Sequence, residues 1–410
     1  MHIYDAAADS GLSIDAIRFL SKSGMLPKIV RDVRGWRRID AGKAGGLRKL
    51  ERWRATGMPM ADMRRFATRL QRVKRGFDRV MQKIWDGKAV PALGLGCWAI
   101  GGPWTADGAA AGWGEVDDAQ SVRAIHAAVA AGVRFFDTAQ AYGAGHSERV
   151  LGQALKGHPD VLVATKVGYQ IDPATRQLIG QDISATAIRT SIEDSLQRLQ
   201  RSRIDLVLLH INALPISQSI GVFDTLDALR AEGKIAAYGW STDFPDRAAA
   251  FAARPGMVAT EHAMNVFFRA DALLAVIEAQ GLVSINRSPL AMGLLGGKIG
   301  PDTRFAAQDL RSRSVDWMAY FKDGAVAPEF AIRLAAVREL LQSGGRTLAQ
   351  GAICWLWGRS DRALPIPGFR TESQVADLAG ALDKGALSAS VMQEIETVIM
   401  REPEGPPRER

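Results

Sequence analysis

The sequence predicts an α/β protein, a (β/α)8 barrel preceded by a small, basic, all-α unit. Three observations carry this. Between residues 89 and 367, eight short apolar runs alternate with amphipathic stretches, the pattern of parallel strands joined by crossover helices. Three successive runs end at or near Asp137, Lys166 and His210, polar groups placed where a barrel collects its reactive side chains. Charge is also divided. Residues 1–88 hold 21 Lys and Arg against 9 Asp and Glu, a net +12, while the remainder holds 31 against 35, a net −4.

The bulk numbers set the class. A chain of 410 residues with 47% apolar content can bury a large core and has room for a barrel plus an appendage. No run of eighteen apolar residues occurs, so no membrane span is expected. The start, Met1-His2-Ile3-Tyr4-Asp5, lacks the basic and apolar segments of a secretory signal. Two cysteines, Cys97 and Cys354, lie in separate apolar runs, which excludes a disulfide framework and points to a reducing, cytoplasmic setting. The six histidines are scattered without ligand spacing, so no metal is expected.

Within residues 1–70, Ser13 reads as an N-cap for a helix over 14–23, closed by Gly24. A shorter helix precedes it across Gly11, giving a helix-turn-helix. Arg31 to Arg38 is an arginine-dense hairpin with Gly35 at its tip, and helices are expected over 43–55 and 60–70. Residues 71–88 read as a basic linker helix. This order resembles the winged DNA-binding domain of the MerR family of transcription regulators. The resemblance implies that Arg18, Arg34, Arg37 and Arg38 meet DNA phosphates, the part of the affinity that ignores sequence. Asp15 and Ile39 depart from the family's Arg and Tyr. DNA binding by such a head implies a homodimer, although no sustained heptad pattern follows it.

The barrel is expected over 89–396, with strands at 89–99, 133–139, 161–167, 204–211, 236–241, 258–264, 282–289 and 363–367. Helices are expected at 119–131, 185–199, 223–232 and 347–357, among others. A doubly wound sheet is the alternative. It wants a glycine-rich dinucleotide turn, and Gly94-Leu95-Gly96-Cys97 is followed by neither a third glycine nor a helix. The tail from 397 to 410 reads as disordered.

The polar strand ends form a set. Asp137 closes the second strand and Tyr142 follows in a loop containing Gly143-Ala144-Gly145; Lys166 closes the third strand and His210 the fourth. Around them stand Leu93-Gly94-Leu95-Gly96-Cys97-Trp98, Gly145-His146-Ser147-Glu148, Gly239-Trp240-Ser241, Ser288-Pro289-Leu290 through Gly296-Gly297-Lys298, and Ile366-Pro367-Gly368-Phe369-Arg370. These ordered motifs resemble the aldo-keto reductase superfamily over essentially the whole barrel.

The resemblance implies a TIM barrel that reduces aldehyde, ketone or sugar carbonyls with NADPH, NADH being the alternative. Tyr142 is then the general acid, because reducing a carbonyl needs a proton for the developing alkoxide. Lys166 is expected to lower the phenol's pKa, Asp137 to hold Lys166, and His210 to orient the carbonyl. Cofactor contacts carried over by position are Ser241 and Glu261 at the nicotinamide end, Ser288, Leu290 and Lys298 along the pyrophosphate, and Gly368, Arg370 and Gln374 at the adenosine. Arg370 facing a 2′-phosphate would favour NADPH. The family's usual Gln is Glu261, and its usual nicotinamide-stacking aromatic is Met264. Residues 299–328 match an insertion that helps cover the site. A second hypothesis makes the chain a transcription regulator whose barrel senses a carbonyl compound or nicotinamide redox state.

Overall fold

The computed structural model describes residues 88–300, 302–305, 309–313 and 318–407, together with positions 14, 18 and 21 and the strands at 29–31, 37–39 and 81–84. The chain divides into two compact units, Met1–Arg79 and Val80–Arg410. In the first, positions 14, 18 and 21 are helical, inside the helix expected over 14–23. Ile29–Arg31 pairs antiparallel with Arg37–Ile39, Arg31 opposite Arg37, where the arginine-rich hairpin was expected. Arg34 and the helices at 43–55 and 60–70 lie outside the described residues, as do the side chains of Arg37 and Arg38.

The second unit begins with a departure. Residues 81–84, expected in a linker helix, form a strand that pairs antiparallel with Lys88–Pro91. The intervening sequence contains Asp86-Gly87, a dipeptide that favours tight hairpin turns. The first predicted strand, 89–99, is therefore two separate pieces.

Eight parallel strands then follow in chain order: β1 (Leu95–Gly96), β2 (Phe135–Asp137), β3 (Leu162–Val167), β4 (Ile204–Leu209), β5 (Ile235–Ser241), β6 (Met257–Ala263), β7 (Val283–Arg287) and β8 (Ala363–Pro365). Each pairs with its sequence neighbour. The ring closes where Gly94 and Gly96 donate to the carbonyls of Pro365 and Pro367, both at 3.0 Å. Only glycine fits at position 96, since a Cβ there would stand 2.9 Å from the Ile366 carbonyl oxygen. The helices are α1 (Asp118–Ala130), α2 (His146–Ala154), α3 (Ala185–Leu199), α4 (Ile216–Ala231), α5 (Pro245–Phe251), α6 (Asp271–Gln280), α7 (Pro328–Gln342), α8 (Leu348–Arg359), α9 (Glu372–Ala379) and α10 (Ala389–Val398). Several of their starts are capped by side chains. Asp117 accepts from the first turn of α1, and Thr347 with Gln350 forms a capping box on α8.

Strand alternation sorts the side chains. Phe135, Ala164, Leu208, Ala259, Ile285 and Ile366 belong to the apolar plug inside the barrel. Their strand neighbours Phe136, Val163, Val207 and Leu209 belong to the larger core beyond it. Successive strand residues face opposite sides, so the next inward position lies two residues further on. Those positions are Asp137, Lys166, His210, Glu261, Arg287 and Gly368, at the C-terminal mouth. The plug thus presents a polar layer on top of itself.

The outward side has its own polar group. His262, with no exposed surface, shares a 2.7 Å hydrogen bond with Ser284 Oγ and a 3.3 Å one with the Ala263 carbonyl. Burial lowers its pKa from 6.5 to about 4. A histidine kept neutral in the fold contributes stability that is complete above pH 6.5 and is lost as pH falls towards 4. The loss is expected to reach roughly 3 kcal/mol. Urea unfolding from pH 7.5 to 4 measures it, and His262→Gln should flatten that part of the curve.

The C-terminal tail is a correction. Residues 399–407, read as disordered, lie against the barrel. Ile399 is buried, the Arg401 Nε donates to the Val266 carbonyl at 2.8 Å, and Glu402 pairs with Arg333 at 3.0 Å. The composition resembles that of a solvated tail, but its charges have partners on α7, α10 and the β6 loop. Among the described residues no helix is long and apolar enough to cross a membrane. Cys97 and Cys354 are buried free thiols, and burial raises the pKa of both.

Candidate active site

The loop after β2 is built to hold one phenol. Ser147 Oγ donates to the Cys97 carbonyl at 2.9 Å and shares a 2.8 Å hydrogen bond with Thr138 Oγ1, tying the loop's two ends to β1. Gly143 has φ +64, and a Cβ there would stand 1.9 Å from the Gly101 carbonyl oxygen, so only glycine lets the chain pass. Buried Glu148 on α2 accepts from Thr165 Oγ1 at 2.5 Å and from Arg198 Nε at 2.6 Å, locking α2 to β3 and α3. Tyr142 sits between these anchors with its ring stacked on Trp98 at 6.0 Å.

Lys166 rises from β3 into the same space. Its Nζ donates to Asp137 Oδ1 and Oδ2 at 2.6 and 2.7 Å, to the Thr138 carbonyl at 3.1 Å and to the Tyr142 hydroxyl at 3.2 Å. Glu261 Oε2 lies 3.3 Å from the same nitrogen. His210 stands edge-on to Tyr142 at 6.0 Å and to Tyr169 at 5.1 Å. The structure therefore brings Asp137, Tyr142, Lys166 and His210 together, and adds a second carboxylate to them.

The electrostatics follow from burial and these contacts. Burial opposes the charge on Lys166, but Asp137, Glu261 and Tyr142 more than offset it, and its pKa lies above the usual lysine value. Burial, reinforced by Glu261, pushes the Asp137 carboxyl well above its ordinary range despite Lys166. Tyr142 corrects an expectation. Lys166 does pull its pKa down, yet burial is the larger effect and the phenol ends above its usual value.

Asp137, Tyr142, His210 and Glu261 line a cavity of about 720 Å3, and fully buried Lys166 contacts Asp137, Tyr142 and Glu261 without lining it; the volume lies within the common range of roughly 300–1,000 Å3 for ligand pockets. Trp98, Trp104, Trp113 and Tyr169 are among its lining residues. Tyr169 opens a hairpin, Tyr169–Asp172 with Gln177–Gln181, that extends through Thr105–Ala106 into a small four-stranded sheet beside the mouth. Asp309, Leu310, Arg311 and Arg313, from the expected covering insertion, also line the cavity. This hairpin and the Gly- and Ala-rich stretch around Trp104 and Trp113 supply lining residues that no motif in the sequence marks.

Of the cofactor residues carried over, Ser241, Glu261, Ser288, Leu290, Gly368, Arg370 and Gln374 line the cavity. Lys298 does not. It is exposed, beyond Gly297, whose φ of +85 turns the chain outward. Met264 is fully buried in the outer core and is likewise not a lining residue. The Arg370 guanidinium donates to the carbonyls of Ala99 at 3.2 Å, Trp113 at 2.5 Å and Glu115 at 3.5 Å, clamping the β1–α1 loop instead of standing clear for a phosphate. Gln374 Oε1 caps the backbone of Arg370 and Thr371 at 2.8 and 3.2 Å.

Arg287 is the lining residue that strand alternation alone could have found, two positions beyond inward-facing Ile285. Its Nη2 pairs with Asp243 at 2.5 Å, while Nη1 is buried without a hydrogen-bond acceptor among the described residues. An unsatisfied buried cationic donor in this wall suits an anionic ligand group. Together with the cavity's reach from Tyr142 to Gln374, it fits a dinucleotide. Among the described residues no group of three or more His, Cys, Asp or Glu could hold a metal ion.

Known proteins resemble this chain. Residues 92–400 match the aldo/keto reductase family. The chain is 32% identical over 330 residues to the NADH-specific methylglyoxal reductase of Escherichia coli (strain K12), covering 75% of this chain and 95% of that protein. It is 28% identical over 329 residues to the aldo-keto reductase YhdN of Bacillus subtilis (strain 168), covering 77% and 92%. Its structure is similar to that of a glycerol dehydrogenase from Gluconobacter oxydans, with a TM-score of 0.67 at 28% identity, covering 80% and 98%. A barrel closed through Gly96, a lysine joining Asp137 to Tyr142 at its mouth and a family match over three quarters of the chain agree: the chain belongs to the aldo/keto reductase family.

Proposed function

We propose that the protein reduces aldehyde, ketone or sugar carbonyls with NADPH, NADH being the alternative donor, and that Tyr142, Lys166, Asp137 and His210 carry the reaction. The observation behind this is the 3.2 Å contact of Lys166 Nζ with the Tyr142 hydroxyl at the cavity floor. The bound dinucleotide supplies the hydride, which no side chain can. Tyr142 gives its proton to the carbonyl oxygen as negative charge develops there. Lys166, held charged by Asp137, partly counters the effect of burial on the phenol and stabilises the tyrosinate left behind. His210, opposite Tyr142, orients the same oxygen. Ser241 and Ser288 offer hydroxyls, and Arg287 a cationic donor, along the wall where the cofactor would lie. The four aromatic rings lining the cavity suit carbonyl compounds with flat or apolar substituents. Cofactor oxidation over a panel of aldehydes, ketones and sugars tests the reading, and no turnover with any of them would overturn it.

For the N-terminal unit we propose DNA contact. The net charge of +12 over residues 1–88 and the antiparallel pairing of Arg31 with Arg37 support it. On DNA from upstream of its own coding region, the full-length protein is expected to shift mobility with an affinity that falls steeply with salt. Arg37→Ala with Arg38→Ala should weaken it at least about tenfold. Undiminished binding by that variant, or binding indifferent to salt, removes the proposal. A homodimer is expected on such a site.

A further inference from the structure

Glu261 makes this site unlike one built on a single ion pair. It faces inward on β6, is 2% exposed and lines the cavity. Its Oε1 accepts from Ser241 Oγ at 3.3 Å, and its Oε2, 3.3 Å from Lys166 Nζ, has no hydrogen bond among the described residues. Five oxygens surround that nitrogen: both of Asp137, the Thr138 carbonyl, the Tyr142 hydroxyl and Glu261 Oε2. An ammonium has three protons to give. Two carboxylates facing one ammonium leave a formal charge of −1 when all three are ionised. Arg287, the next inward cation in the row, is already paired with Asp243. The surplus negative charge therefore stays at the cavity floor beside Ser241.

We propose that Glu261 makes the site discriminate between the redox states of its nicotinamide cofactor, binding the oxidised form more tightly than the reduced one. The proposal rests on the reading of the cavity as a nicotinamide site. The oxidised nicotinamide ring carries a positive charge and the reduced ring is neutral, so a buried carboxylate at its side favours the first. A glutamine here would keep the hydrogen-bonding shape and lose the charge. Across a few ångströms, at an effective dielectric near 20, one such charge is worth about a tenfold change in affinity or more. A ligand that binds one state better shifts the equilibrium by its differential affinity. On the enzyme, the balance between carbonyl plus reduced cofactor and alcohol plus oxidised cofactor accordingly moves towards oxidised cofactor.

Dissociation constants of NADP+ and NADPH for the full-length protein test this, read by quenching of tryptophan fluorescence, since three tryptophans line the cavity. In the wild type NADP+ is expected to bind more tightly than NADPH. Glu261→Gln is expected to move the ratio of the two constants about tenfold towards NADPH. An unchanged ratio in Glu261→Gln overturns the proposal and leaves the reductase reading standing. Should that variant not fold, tighter binding of NADPH than of NADP+ by the wild type overturns it equally. Failure of the wild type to bind NADP+, NADPH, NAD+ or NADH removes both this inference and the reading beneath it.

Discussion

Tyr142→Phe is expected to lower kcat for carbonyl reduction by about 10²- to 10⁴-fold, the usual loss when a positioned proton donor is removed. The substitution is conservative for everything but the proton. The ring's stacking on Trp98 at 6.0 Å and its edge contact with His210 survive, and the loop is held through backbone bonds and Ser147, not through the hydroxyl. Cofactor affinity should therefore stay within about threefold of wild type while turnover falls, a kcat effect and not a binding effect. Steady-state rates with the best substrate of the carbonyl panel, alongside a cofactor titration, separate the two. A variant that turns over at near wild-type rate assigns the proton to another group, with His210 the next candidate in reach.

Lys166→Met is expected to abolish measurable turnover and also to destabilise the barrel by about 3 kcal/mol near neutral pH. The methionine fills a similar volume, so the loss is electrostatic. Asp137 keeps no cation, and the buried carboxylate of Glu261 faces it across the emptied charge. The sign with pH follows. Asp137 can escape the penalty by taking a proton, and burial already raises its pKa. The stability difference between variant and wild type should thus shrink as pH falls from 7.5 to 5. Urea midpoints at the two pH values measure this, and adding Asp137→Asn should recover part of the loss at pH 7.5. A stability difference that is constant with pH would mean that the lysine acts through packing, and the ion cluster would lose its assigned role.

Several elements were legible because their signals are local. The strand at 161–167 and the observed Leu162–Val167 differ by one residue, since an apolar run bounded by polar ends needs no partner to be read. The short β1 was overextended to 89–99 because Val90 and Ala92 continue the apolar pattern, while the hairpin that captures 88–91 depends on pairing with 81–84. Met264 was misplaced by analogy. Alternation from inward Ala259 and Glu261 puts position 264 on the outward side, in the core. Arg370 was read as a phosphate ligand because nothing in its own neighbourhood reveals that three carbonyls of a loop some 260 residues away would receive its donors.

The barrel, and the residue types at the ends of its strands, are legible in the sequence alone. Period-two alternation and the spacing of helices depend only on the local chain. Tertiary structure alone decided that Lys166 reaches both Asp137 and Tyr142, that Glu261 joins them, and that the phenol's pKa ends above its usual value. Distances across strands follow from how the sheet closes, and a pKa sums burial with every charge in reach, so neither is written in a run of neighbouring residues.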